Sequence, residues 1–286
     1  MTLSEEVRAY FKRTHGRPSK HLGQNFLIDP YTLQEMVWAG EVTGDDLVLE
    51  IGAGLGFLTD RLADAAGKVV AVEVDEVLYA ELQLKYAKRP HVSLIRADIL
   101  KLDIEHLFEN QPRNQVKAIA NLPYYITTPV LWKLLECGEH IGTCVLTVQT
   151  EVAQRLVSPP NRKDYGALTV GVAYHAQAEI VKAIPPSAFY PPPQVESTVV
   201  RLQMRKHPAL NLVDEAWFFR VVRAAFQSRR KMLRNALLSS GVSIPTDGLD
   251  NAFQEAGIDP RRRAETLTIS EFATLANCLH RQIHKM

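Results

Sequence analysis

The sequence predicts an α/β protein, a doubly wound and mostly parallel sheet followed by a small α-helical C-terminal domain. Three observations carry this. Short apolar runs alternate with amphipathic stretches from residue 47 to residue 148, the pattern of successive β-α-β units. A glycine-rich turn from Glu50 to Thr59 joins the first apolar run to a helix. After His207-Pro208 the apolar period becomes that of amphipathic helices.

LVLEI (47–51) reads as the first strand of the sheet, with a helix behind it through Leu62. VVAVEV (69–74) is the next, backed by a helix from about Val77 to Tyr86. VSLIRAD (92–98), VKAIAN (116–121) and CVLTV (144–148) continue the series, and a helix starting at Pro129 separates the last two. Two further β-rich runs, LTVGVAYHAQAEIV (168–181) and STVVRLQM (197–204), flank the proline cluster PPSAFYPPPQ (185–194). With no long helical pattern between them, they predict an antiparallel pair at the sheet edge. AWFFRVVRAAF, MLRNALLSS, LDNAFQEAG and ISEFATLANCLHRQ then predict four helices. The expected division is an N-terminal arm (1–24), a larger α/β domain (25–207) and a small helical domain (208–286).

A chain of 286 residues with 46% hydrophobic and 23% charged residues suits a globular protein of one large and one smaller domain. No apolar run approaches the ~20 residues of a membrane helix, so no membrane association is expected. The N-terminus has no signal-like apolar segment, and a cytoplasmic location is the expectation. Cys137, Cys144 and Cys278 are too scattered for a disulfide framework or a zinc site; no metal is expected, and buried thiols are the simpler account.

The formal net charge of +1 hides a polarity. Residues 1–24 carry five Lys/Arg against two acids, residues 25–200 carry 14 against 22, and residues 201–286 carry 14 against eight. A polyanion would be met by the chain's two ends, and a small cationic ligand by its middle. Arg229, Arg230, Lys231 and Arg234, with the triplet Arg261, Arg262 and Arg263, are the candidate phosphate contacts. Solvated helix faces are the plainer alternative.

The glycine turn places Gly52, Gly54 and Gly56 between strand and helix, where nucleotide ligands bind in open α/β sheets. A mere connector would look similar, but two acids argue otherwise. Glu50 immediately precedes the turn, a poor neighbour for a phosphate and a good one for an ammonium or sulfonium. Glu73 ends the next strand, 21 residues after Gly52, where an acid binds ribose hydroxyls. Asp98 closes the following strand and can accept from an adenine amine. Together they describe a phosphate-free nucleoside with a positive centre. S-adenosyl-L-methionine fits, whereas NAD leaves Glu50 without a use.

Asn121-Leu122-Pro123-Tyr124 ends the VKAIAN strand at the same sheet edge. Adenine N6 is a feeble nucleophile because its lone pair is delocalised into the ring. The Asn121 side-chain oxygen and the Leu122 carbonyl can accept its hydrogens and draw it towards tetrahedral geometry. Pro123 stiffens the loop and offers no competing N–H. Tyr124 and Phe189 are the aromatics expected to stack on the base. A structural turn with a core tyrosine is the bland reading of the same four residues.

With these motifs the chain resembles the ribosomal RNA adenine N6,N6-dimethyltransferases, in particular the bacterial branch that modifies small-subunit RNA. The resemblance covers His21-Leu-Gly-Gln-Asn-Phe-Leu27, Glu50 to Thr59, Glu73, Ala97-Asp98, Asn121 to Tyr124, Phe189 to Ser197 and Ala225-Phe226 with Arg229-Arg-Lys231. It departs in one extra proline, Pro192. It implies a Rossmann-like S-adenosylmethionine-dependent methyltransferase sheet, with Asn25 and Leu27 also touching the cofactor. The implied reaction is dimethylation of two adjacent adenosines near the 3′ end of 16S RNA, by a monomer acting on the immature 30S particle. Resistance methylases of large-subunit RNA share the glycine turn and the Asn-Leu-Pro-Tyr segment, so Gly257-Ile-Asp-Pro260 through Arg263-Ala-Glu-Thr-Leu267 serves to tell them apart. The rival from another class is an assembly factor whose main act is binding immature small subunits.

Overall fold

The computed structural model describes residues 1–112, 115–207, 209–241 and 245–284. The chain opens with α1 (Leu3–Arg13), β1 (Phe26–Leu27) and α2 (Pro30–Ala39). Four β-α steps follow: β2 (Leu47–Ile51) to α3 (Phe57–Ala65), β3 (Lys68–Glu73) to α4 (Glu76–Tyr86), β4 (Val92–Arg96) to α5 (Ile104–Phe108), and β5 (Val116–Asn121) to α6 (Thr127–Glu136). β6 (Thr143–Gln149) leads into α7 (Thr150–Val157), α8 (Ala167–His175), β7 (Ala176–Ile184), β8 (Phe189–Tyr190) and β9 (Ser197–Met204). α9 (Glu215–Phe226), α10 (Leu233–Leu238), α11 (Thr246–Ala256) and α12 (Ile269–Ile283) complete it.

Among the described residues the main sheet has the order β4-β3-β2-β5-β6-β9-β7. β2 pairs in parallel with both β3 and β5, and every residue from Leu47 to Ile51 is buried. A strand covered on both faces reads as a continuous apolar run, which is why LVLEI shows no alternation. The order turns around at β2, whose successor β3 lies on one side and β5 on the other. That is the topological switch point where such sheets open a crevice at their carboxyl ends.

The chain divides into two compact units, 1–153 with 177–206, and 154–176 with 207–286. The last of these breaks falls at 206/207, beside the expected boundary at 207/208, and residues 154–176, expected in the larger domain, group with the second unit. That segment holds a second departure. LTVGVAYH was expected to be strand and is α8, with Thr169, Val170, Gly171, Val172 and Tyr174 all buried. A run apolar all round carries no period, and tertiary burial decided for helix over the β-branched content. The rest of the expectation holds as a neighbouring pair: β9 is antiparallel to β6, and β7 lies beside it at the sheet edge. The segment expected as a basic N-terminal arm contains a helix that packs on the larger unit. α1 has a complete capping box on Thr2 and Glu5, and it sinks Val7 and Tyr10 into the apolar cluster that contains Phe26, Phe57 and Phe189.

Candidate active site

The glycine turn is held by backbone and by two neighbouring elements. Gly52 and Ala53 donate to the Val72 carbonyl at 2.8 and 3.2 Å, and Gly54 donates to Glu73 Oε2 at 2.8 Å. Gly56 has φ +80°, and a Cβ there would meet Tyr86 Oη at 2.5 Å. The reason is that Tyr86 donates to the Gly56 carbonyl at 2.8 Å, and Lys85 Nζ reaches the Leu55 and Gly56 carbonyls and Asp60. Gly56 therefore serves packing, while Gly52 (φ +76°) and Gly54 (φ +59°) shape the turn beside the cavity. Sequence reasoning left Lys85 and Tyr86 out, since nothing in a helix pattern says which side chain reaches a loop 30 residues back.

At the carboxyl edge of β2, β3 and β5 lies a cavity of about 340 Å³. Asn25, Leu27, Glu50, Gly52, Gly54, Glu73, Asp98, Asn121, Leu122, Pro123, Tyr124 and Phe189 all line it, so one hollow collects every residue expected to act on the cofactor or on the base. Its ionisable lining consists of three carboxyl groups, His21 and two tyrosines, with no lysine or arginine. Such a wall disfavours a pyrophosphate and suits a cationic nucleoside, so the residues present fit S-adenosylmethionine.

The three acids are not equivalent. Glu50 is 1% exposed, and its Oε2 has no hydrogen-bond partner. Burial, reinforced by the Asp60 and Glu73 charges and opposed by the Thr59 hydroxyl and Lys85, pushes its carboxyl up to about 8. It holds a proton near neutrality until a positive charge comes close. Glu73 is shifted upward, chiefly by burial, and it already accepts from Gly54, Val74 and Asp75, the last two at 2.9 Å. A carboxylate has about four lone-pair sites, so Glu73 ties the turn together and keeps little capacity for ribose hydroxyls. Asp98 is half-buried; its Oδ1 accepts from Leu100, and its Oδ2 accepts from nothing among the described residues.

The segment beyond β5 is oriented from two sides. Asn121 Nδ2 donates to the Asn25 carbonyl at 3.0 Å. Only the nitrogen of an amide can donate to a carbonyl, so Oδ1 is left as the free acceptor. Tyr124 Oη and Ser197 Oγ share a hydrogen bond of 2.6 Å. Phe189 is 3% exposed and belongs to β8, which pairs antiparallel with β1 so that Leu27 faces Phe189 and Phe26 faces Tyr190. Leu27 and Phe189, expected at the cofactor and at the base respectively, thus belong to two strands of one ribbon. Tyr125, 58% exposed at the cavity wall, and Ser197 were given no role from sequence; the doubled tyrosine was the signal available for the first.

The basic candidates belong to the second unit, and the structure separates them. Arg234 makes a two-pronged pair with Asp250 at 2.6 and 2.8 Å, Arg262 pairs with Glu271, and Arg261 with Asp259 at 3.1 Å. Arg229 donates to the carbonyls of Lys163 and Tyr165. Among the described residues the Lys231 side chain meets only the Ser239 hydroxyl, at 3.1 Å, and Arg230 and Arg263 are exposed. Among the described residues no His/Cys/Asp/Glu group is arranged to hold a metal, and no helix is long and apolar enough to cross a membrane. All three cysteines are buried and free.

Residues 17–281 match the family model described as ribosomal RNA adenine dimethylase. The chain is 42% identical over 268 residues to the Ribosomal RNA small subunit methyltransferase A of Clostridium perfringens, covering 94% of this chain and 93% of that one. It is 44% identical over 271 residues to the protein of the same name from Bacillus mycoides, covering 93% and 92%. Among solved structures it resembles a dimethyladenosine transferase from Plasmodium falciparum, with TM-score 0.75 and 24% identity over 87% of this chain and 95% of that one. It also resembles the 23S rRNA methyltransferase ErmE, with TM-score 0.67 and 27% identity over 90% and 100%.

Proposed function

Because the chain belongs to the ribosomal RNA adenine dimethylase family, we propose that it dimethylates N6 of two adjacent adenosines near the 3′ end of small-subunit (16S) ribosomal RNA. The observation that carries the chemistry is the commitment of Asn121 Nδ2 to the Asn25 carbonyl, which leaves Oδ1 as the acceptor beside an acid-lined cavity. The named sequence relatives favour small-subunit RNA over the large-subunit substrate of the more distant methylase.

S-adenosylmethionine supplies, when bound, an electrophilic methyl group on a sulfonium. The chain's own residues do the rest. Asp98 Oδ2 is the free acceptor for the cofactor's adenine amine, and Glu50 is the buried acid that a cation would ionise. Asn121 Oδ1 and the Leu122 carbonyl accept from the target N6, turning its lone pair out of the ring plane. Tyr124 and Phe189 hold the base by its faces. The N6 proton becomes acidic only as the new bond forms and can leave to water, so no dedicated base is required.

In this reading the second unit binds RNA, and Arg230, Lys231 and Arg263 are its phosphate contacts, because no carboxylate among the described residues neutralises them. Arg229, Arg234, Arg261 and Arg262 chiefly brace the unit. The protein acts in the cytoplasm, as a monomer, on the immature 30S particle. The test is mass spectrometry of 16S RNA after incubating small subunits from cells lacking the protein with purified enzyme and S-adenosylmethionine. Two dimethyladenosines should appear, and Asn121→Ala should abolish them. Methylation of large-subunit RNA in their place would overturn the reading.

A further inference from the structure

Tyr124 lies in a single 3-10 turn, Tyr124–Ile126, that begins straight after Pro123. A half-buried ring in such a turn keeps rotational freedom unless its far end is tethered. The far end is tethered, by the 2.6 Å hydrogen bond between Tyr124 Oη and Ser197 Oγ. Ser197 is a rigid post. It is fully buried, opens β9, and faces Gln149 of β6 in the antiparallel register. The backbone on either side is clamped as well, because Thr150 donates to the Glu196 carbonyl at 3.0 Å and the Thr150 and Thr198 hydroxyls meet at 3.0 Å. Ser197 itself does not line the cavity; anything it does to substrate passes through the tyrosine.

We propose that Ser197 is a positioning residue for methyl transfer, its hydroxyl fixing the Tyr124 ring at the angle that presents the target adenine to Asn121. This rests on the reading of Tyr124 as the base-stacking residue. The tether matters unequally in the two transfers. Unmodified adenine offers two N6 hydrogens to Asn121 and Leu122, and the ring needs to contribute little to aim. N6-methyladenine offers one, so stacking sets more of the geometry and a loose ring loses more of the productive poses. The phenol has no second described polar partner, so losing Ser197 frees the ring without giving it a replacement bond.

The experiment compares Ser197→Ala, Tyr124→Phe, their double variant and Ser197→Thr on small subunits lacking the modification. It follows mono- and dimethyladenosine over time, with S-adenosylmethionine affinity measured by calorimetry and the melting temperature recorded for each. Ser197→Ala and Tyr124→Phe should each slow the second transfer by about three- to ten-fold, the span of one net hydrogen bond. The double variant should be no slower than the worse single one. Ser197→Thr, which keeps the hydroxyl, should restore the product ratio wherever it melts normally, and cofactor affinity should not move. Multiplying effects in the double variant would overturn the proposal, as would slowing that follows melting temperature alone with an unchanged product ratio. Tyr124→Ala separates the two levels. If it methylates normally, the stacking role itself is wrong; if it fails while Ser197→Ala behaves as wild type, only the tether is refuted.

Discussion

Replacing Glu50 by glutamine should flatten the protein's stability against pH and remove a proton from the thermodynamics of cofactor binding. Glu50 is buried with Oε2 unpartnered, and its carboxyl is raised from 4.5 to about 8. Between those two values the folded chain holds a proton there that the unfolded chain has released. Folding then takes up a proton, so stability falls as pH rises, by about 1.4 kcal/mol per unit for one group. The contribution is whole below pH 4.5. It is reduced by ~3 kcal/mol at pH 7 and by ~5 kcal/mol once the pH passes the folded value. Urea unfolding at pH 5, 6, 7, 8 and 9 should show wild type losing stability faster than Glu50→Gln over that window. The offset between the two proteins at pH 5 is immaterial, because the slope is the readout. A cation bound beside Glu50 favours the carboxylate, so calorimetry of S-adenosylmethionine near pH 7 in buffers of different ionisation heat should report proton release from wild type and none from Glu50→Gln. Parallel stability curves, together with equal proton release, would refute the assignment of a protonated Glu50.

The other acids divide by what they already hold. Asp98→Ala should weaken S-adenosylmethionine by ~1 to 3 kcal/mol with little change in unfolding free energy, whereas Glu73→Ala should also destabilise the fold by more than ~2 kcal/mol, because three backbone donors lose their acceptor; calorimetry beside chemical unfolding checks both. Reversing charge at Arg230, Lys231 and Arg263 should flatten the slope of log RNA affinity against log salt by roughly 0.7 to 0.9 for each phosphate no longer neutralised. Reversing Arg234 and Arg262 should instead lower the melting temperature, by setting two carboxylates against each other. Tyr124→Ala should slow the second methyl transfer more than the first, so monomethyladenosine accumulates in a mass-spectrometric time course; equal slowing would deny stacking its larger share in the second step.

Most of the sheet was legible because its strands are short apolar runs with helices of clear period between them. LVLEI, VKAIAN and STVVRLQM fall where the structure puts β2, β5 and β9. LTVGVAYH failed for the same physical reason in reverse, since a segment buried all round shows neither a two-residue nor a helical period. The acids and Asn121 were legible as well. They end successive strands, and in a parallel sheet successive strand ends share one edge. Asn25 and Leu27 came only through family resemblance. Two residues of β1 opposite Phe189–Tyr190 make a ribbon too short for any periodicity to announce.

The least legible features are those in which a side chain serves another part of the chain. Glu73 was read as a ribose ligand from its position, and it is first the acceptor for Gly54, Val74 and Asp75. The arginines read as phosphate contacts include two, Arg234 and Arg262, that answer Asp250 and Glu271, 16 and nine residues further along. Charge counting could not find those partners, since each pair joins two different elements: α10 to α11 for Arg234, and the loop before α12 to α12 for Arg262. The same holds for Asn121, whose direction is set by a backbone carbonyl 96 residues earlier. A carbonyl is common to every residue type, so the identity of Asn25 carries no trace of that duty. Substituting Asn25 changes its side-chain bond to the Gly23 carbonyl and leaves the carbonyl in place. What holds Asn121 is therefore the path of the backbone through 23–27, fixed by the pairing of β1 with β8. In the proposed mechanism, the acceptor for the target nitrogen is thereby secured by the same ribbon that holds Phe189 at the cavity.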